Sequence, residues 1–343
     1  MKKLFVILVG IVFNATFFTA CANDWQNAPF LSQSFPAASI KAVEVSTSGG
    51  SITVTGDAEA EAVVEIYISR NNWSDERIRQ AFEEDYVLDL RVEGGKLYAV
   101  AKSKNSLTGW NRQTLSISFK ISVPKRIDSN LKTSGGGIRI SDMSGTQDFR
   151  TSGGSLTVEN ISGKVLGTTS GGSITVTNSS NVINLKTSGG SITARDCSGD
   201  IKLSTSGGSI KLTNLDGNIQ TSTSGGSITA NNINGTLNTG TSGGSVTLNG
   251  ISGSVNAKTV GGSMTVEMQS VNDAVKLSNS GVVNLTLPIG KGYDLNVRGN
   301  KIETSGLQDF RGNIERDKLE GVVGNGEARI DIKTSQRVNL TFK

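Results

Sequence analysis

Between residues 133 and 267 apolar side chains fall on a two-residue beat that restarts every 18 residues. One column of the repeat reads Ile138, Leu156, Ile174, Ile192, Ile210, Ile228, Val246 and Met264. Two residues on stand Ile140, Val158, Val176, Ala194, Leu212, Ala230, Leu248 and Val266, with Ser or Thr at most positions between. Alternation with period two marks a strand with one buried face. A second strand precedes each new repeat, its inward residues being Ile183/Leu185, Ile201/Leu203 and Val255/Ala257. A period of 18 is too short for helical repeats and fits one turn of a β-solenoid.

The turns repeat as well. TSGGS stands at Thr151, Thr169, Thr187, Thr205, Thr223 and Thr241, with variants at Thr133 and Thr259. Paired glycines let one corner bend without a Cβ in the way, while the Thr hydroxyl is expected to face its copies above and below and Ser to cap the bend. At the opposite corner Gly145, Gly163, Gly199, Gly217, Gly235 and Gly253 share a column in which Asn181 is the exception. Asn replaces Gly best at positive φ, so this column is expected to be left-handed. Three residues earlier, Asp142, Asn160, Asn178, Asp196, Asn214 and Asn232 are expected to cap turns and form a polar ladder along the stack. Cys197 replaces an apolar residue in the column of Ile161, Leu215, Ile233 and Ile251, which predicts an inert core thiol.

An isolated copy of the corner stands at Thr47, a slipped one at Ser278 and a worn one at Thr334. Between Thr47 and Thr133 the period breaks. Residues 62–68 read as a strand, and Ser74 caps a helix through residues 75–82 with Ile78 and Phe82 on one face. A Glu93-Gly94-Gly95 turn predicts a hairpin, and residues 115–124 alternate as a buried strand. Open solenoid ends would expose sheet edges, so both ends need caps. The expected organisation is a signal peptide at 1–22, a first coil and capping excursion at 23–130, regular repeats at 131–287, and degenerate coils with a cap at 288–343.

The order VEVSTSGGSITVTG, WSDERI, VEGGKLYAVAK, LSISFKISVPKRI and LKTSGGGIRISDMSG resembles an uncharacterised family of bacterial β-strand repeat proteins labelled putative adhesins, related to adhesin head domains. The resemblance spans nearly all of the chain beyond residue 22 and implies an exported, right-handed parallel β-helix. It carries over no catalytic residue.

Composition narrows the chemistry. The chain of 343 residues has no His, 42 Gly and 5% aromatic residues, with a net charge of +4. Without His there is no Ser-His triad and no His-based metal site. Lys and Arg are scattered, which argues against nucleic-acid binding. Acidic residues are too sparse along the repeats for a β-helix polysaccharide lyase or hydrolase, and TSGGSIT lacks the Asp of a calcium-roll repeat. The GG corner has neither the Lys nor the helix of a phosphate loop. No metal, cofactor or enzymatic activity is expected.

Two other surfaces remain. A Ser-x-Thr stripe runs from Ser155/Thr157 to Ser263/Thr265 and is interrupted by Lys211; such a face suits ice or glycan binding. Trp73 and Trp110 in the excursion are the candidate contacts for a partner, a surface protein or glycan, against the alternative that they pack the cap onto the first coil. At the N-terminus Lys2, Lys3 and the apolar run to Phe18 read as an export signal. Ala20-Cys21-Ala22 fits release of a soluble chain, whereas Phe18-Thr19-Ala20-Cys21 fits a lipobox that would anchor Cys21. No other segment is apolar and long enough to span a membrane. The expectation is a monomeric, secreted structural or adhesive protein in the periplasm, outer membrane or at the cell surface.

Overall fold

A computed structural model describes residues 28–104 and 114–343. Among these residues the protein is almost entirely β: strands join into one long open sheet, accompanied by a single α-helix, Asp75–Asp85. The repeats pair in parallel with a register offset of 18 residues, as in Leu156↔Ile174, Ile174↔Ile192 and Ile192↔Ile210. The second strands keep the same offset, Ile183↔Ile201↔Ile219↔Leu237. Every apolar column predicted from the alternation is buried to within 2% exposure, and the columns merge into one core along the sheet.

Parallel pairing joins the layers, and the corners add side-chain bonds between them. The Thr of TSGG is buried rather than turned toward its copies. Thr205 Oγ1 donates to the carbonyl of Gly190 at 2.8 Å and accepts the N–H of Gly208 at 3.3 Å. The same bond recurs from Thr151 to Gly136 and from Thr241 to Gly226. The second Gly of each pair is the more tightly demanded one, and only at the Thr259 corner does the first, Gly261, also come within 3.0 Å of backbone. A Cβ on Gly208 would lie 2.1 Å from Gly190 O, whereas one on Gly207 would meet Gly189 O at an ordinary 3.4 Å. Neither glycine of the pair has a positive φ. The Ser after them accepts the N–H of the next copy's Ser, as Ser173 Oγ does from Ser191 at 3.3 Å.

At the opposite corner Gly145, Gly163, Gly199, Gly217, Gly235 and Gly253 have φ between +106° and +144°, and Asn181 has +85°. The expected left-handed column is present. The Asp/Asn column three residues earlier is left-handed too, with φ from +49° to +60°, and Gly250 continues it at +64°. Its members also form the polar ladder, for example Asn214 Nδ2 to Asp196 Oδ1 at 2.8 Å.

At both ends the stack departs from chain order. Strand Ile52–Thr55 pairs with Ile138–Ser141, so the copy at Thr47 joins the repeats directly. Thr133 Oγ1 accordingly donates to Gly50 O at 2.8 Å. The segment between returns on the outer side, where Ser116–Ser122 pairs with Ile52–Thr55 and Lys96–Ser103 with Ala42–Ser46. At the other end Ala328–Lys333 pairs with Met264–Ser278 on one side and Tyr293–Arg298 on the other. Arg337–Phe342 likewise lies between Val283–Leu287 and Lys301–Ser305. Thr334 Oγ1 reaches Gly281 O at 2.6 Å, so the corner bond survives there as well. The last strands of the chain are therefore interior to the stack, and residues 293–323 lie outside them.

Candidate functional site

The excursion after the first copy of the corner carries the candidate site. Strand Glu61–Ser69 runs antiparallel to both Leu31–Pro36 and Ser116–Ser122. It ends at a turn closed by the N–H of Trp73 on the carbonyl of Arg70, with Asn72 at φ +63°. Ser74 then caps the helix, its hydroxyl accepting the N–H of Arg77. Ile78 and Phe82 bury one helix face, Phe82 meeting Phe30 edge-on and stacking with Tyr86. Tyr86 in turn accepts the N–H of Leu115 at 3.0 Å, tying the helix to the returning strand.

This arrangement leaves a cleft of about 700 Å³ between residues 28–30, the end of the strand and the first turn of the helix. Trp73, half-buried, has one edge on the core and its ring against two guanidiniums: Arg77 lies 3.9 Å from the ring centroid and Arg70 4.8 Å. Arg79 covers Phe30 at 4.9 Å. Arg70 also donates to the carbonyl of Thr114 at 2.8 Å. Polar groups complete the lining, including Tyr67, Ser69, Asn71, Asn72 and Asp75. Burial, with Glu65 alongside, raises the Tyr67 phenol above its ordinary value.

Trp73 thus packs on the core and lines an open cleft at once. Trp110 and Cys21, the other two residues that the sequence marks, lie outside the described residues. Sequence reasoning misses the arginines, although their spacing about Trp73, three before and four after, is a visible signal. The contribution of Phe30 and Arg79 has no such signal, because it depends on a strand pairing far along the chain.

The remaining chemistry is sparse among the described residues. No group of three or more Cys, Asp or Glu converges as a metal site. Cys197 is 2% exposed, and burial raises its thiol pKa, which keeps it from the reactive thiolate form. The Ser/Thr stripe is in register, Thr157↔Thr175↔Thr193, but Lys211 interrupts it, and its Ser hydroxyls are already engaged between repeats. No described helix is long and apolar enough to cross a membrane.

No protein-family model matches the chain, and no curated protein matches it. Solved structures are similar to it at low identity. One is named a putative cell adhesion protein from Clostridium sporogenes, at 10% identity and a TM-score of 0.26, covering 91% of this chain and 99% of that one. Another is named a putative adhesin from Parabacteroides distasonis, at 9% identity and 0.26, covering 92% and 98%. A third is named a putative adhesin from Bacteroides fragilis, at 11% and 0.22, covering 91% and 96%. Similarity at this level transfers no site residue to this chain.

Proposed function

We propose that the protein is an exported, non-catalytic, right-handed parallel β-helix of 18-residue coils with a structural or adhesive role at the bacterial cell envelope. In this reading the repeats form a rigid rod, and the excursion at its end presents the contact surface to a surface protein or glycan. The observation that carries it is the unequal distribution of chemistry. Along the repeats, the corner Thr hydroxyls, the Ser hydroxyls that follow the paired glycines and the Asn amides of the ladder are committed to bonds between layers. At the excursion, Trp73, Arg70 and Arg79 line an open cleft, and Arg77 packs on the Trp73 ring.

A glycan array probed with the full chain and with Trp73→Ala tests the reading. Binding that depends on Trp73 supports it. Binding that is indifferent to Trp73 but falls when the stripe is altered at Thr229 and Thr247 would place the contact on the coils instead.

A further inference from the structure

Two guanidiniums, Arg70 and Arg79, line the cleft, and a third, Arg77, lies against the ring of Trp73. Arg77 and Arg70 lie against Trp73, and Arg79 against Phe30. A guanidinium packed against an aromatic ring is restrained before it binds and loses less rotamer freedom on binding. The ion pairs among the described residues all use other groups, so none of the three has a carboxylate partner within 4.0 Å. Three carboxylates are nearby. Glu65 accepts the Tyr67 hydroxyl at 3.2 Å and pairs with Lys120 at 2.9 Å. Asp75 lines the cleft without pairing with an arginine, and Glu76 is exposed, with its pKa lowered first by its own backbone N–H and then by the Ser74 hydroxyl.

The same stacking argues against a neutral sugar. Carbohydrate rings pack on open aromatic faces, but arginines occupy the rings of Trp73 and Phe30. What the cleft offers instead is fork-shaped cationic donors, joined by the Ser69 hydroxyl and the amides of Asn71 and Asn72, while the Tyr67 hydroxyl donates to Glu65. Guanidinium forks match carboxylate and sulfate geometry through paired charged hydrogen bonds, while hydroxyls and amides match sugar hydroxyls. A cleft of about 700 Å³ falls in the range of small-ligand sites and accommodates a short stretch of sugar rings.

We infer that this cleft binds an acidic glycan, a chain whose sugar rings carry carboxylate or sulfate groups. The inference rests on the reading of the excursion as the contact region and adds the class of ligand. Arg70 and Arg79 hold the anionic groups, with the charge of Arg77 nearby on the Trp73 ring; Trp73 and Phe30 keep the guanidiniums in place, and the polar lining meets the hydroxyls.

The test uses the full chain titrated calorimetrically with polygalacturonate, heparin, neutral dextran and single-stranded DNA, at low and at raised salt. Polygalacturonate or heparin is expected to bind, dextran not to bind, and R70Q/R79Q to weaken affinity about tenfold or more, with the folded state retained by circular dichroism at the titration temperature. R70K/R79K keeps the charge but not the fork, and is expected to recover only part of the loss. Full recovery with Lys, or DNA binding as tightly as either glycan, would reduce the site to a nonspecific cationic patch and overturn the inference. Trp73-dependent binding of neutral glycans alone would also overturn it, while leaving the contact-region reading intact. Absence of binding to every glycan, neutral or acidic, would overturn both.

Discussion

Gly207 and Gly208 are chemically identical neighbours in one TSGGS corner, yet substitution to Ala should separate them sharply. A Cβ at Gly208 would stand 2.1 Å from Gly190 O, 2.4 Å from its carbonyl carbon and 2.6 Å from Ser191 N. That carbonyl is fixed by the Thr205 hydroxyl at 2.8 Å, so the layer cannot move without stretching the bond. Losing one such bond costs about 1 kcal/mol, and forcing a methyl into a packed site about 1–3 kcal/mol. Gly208→Ala should therefore destabilise by about 2–4 kcal/mol. At Gly207 the new Cβ would meet Gly189 O at 3.4 Å with no positive φ to strain, so Gly207→Ala should fall within about 0.5 kcal/mol of the parent. Denaturant midpoints followed by circular dichroism, at an unchanged slope, give both values. Equal costs at the two positions would refute the claim that close approach between layers, rather than bending, sets the second glycine.

Other consequences are as direct. Cys197 should resist thiol reagents in the native protein and be labelled only after denaturation; rapid native labelling would mean that its column faces solvent. Gly217 has φ +120°, and a Cβ there would stand 2.4 Å from Gly199 O. Gly217→Val should therefore cost about 1–3 kcal/mol or more from strain, while Asn181→Gly should be neutral or slightly stabilising; equal denaturant midpoints for the two variants would count against a left-handed requirement. Tyr293 is buried, which pushes its phenol up to about 12 from 10.0. The unfolded chain then ionises first, so its contribution to stability is intact below pH 10 and is lost between pH 10 and about 12. Tyr293→Phe should flatten that part of the stability profile, and an unchanged alkaline slope would remove Tyr293 as its source.

The inward columns are legible in the sequence because burial imposes the same apolar requirement at every layer, from Ile138 to Met264. Gly145 to Gly253 are legible as a left-handed column because only Asn181 substitutes there. Asp142 to Asn232 are not, since Asp and Asn serve turn capping and left-handed backbone equally well. The buried Thr hydroxyl is hidden because Thr is just as common on the exposed face of a strand. Its direction is set by the Gly carbonyl one layer away, which no local pattern reveals. The reordering at the ends leaves little trace in the sequence. Gly50 faces the backbone of Ile117 and Ser118, which carry no glycine signature. The Thr334–Gly281 bond joins residues 53 apart. At the cleft Trp73 stands out, but its environment of Arg70 and Arg77 follows from a turn and a helix cap acting together.

The central claim is that the protein is a stack of interchangeable 18-residue coils, and deletion of residues 205–222 tests it most directly. The cut removes one period and joins Ser204 to Thr223, which then meets Gly190 as Thr205 did. Each layer contacts only its neighbours, so every apolar column and both left-handed columns restack in register. A half-period deletion, residues 205–213, instead brings the wrong corner against the strands and turns inward residues outward. Circular dichroism and denaturant unfolding of the two variants should show the full-period protein folded with a cooperative transition and the half-period protein unfolded. Loss of folding in the full-period variant, or equal tolerance of both deletions, would contradict the account.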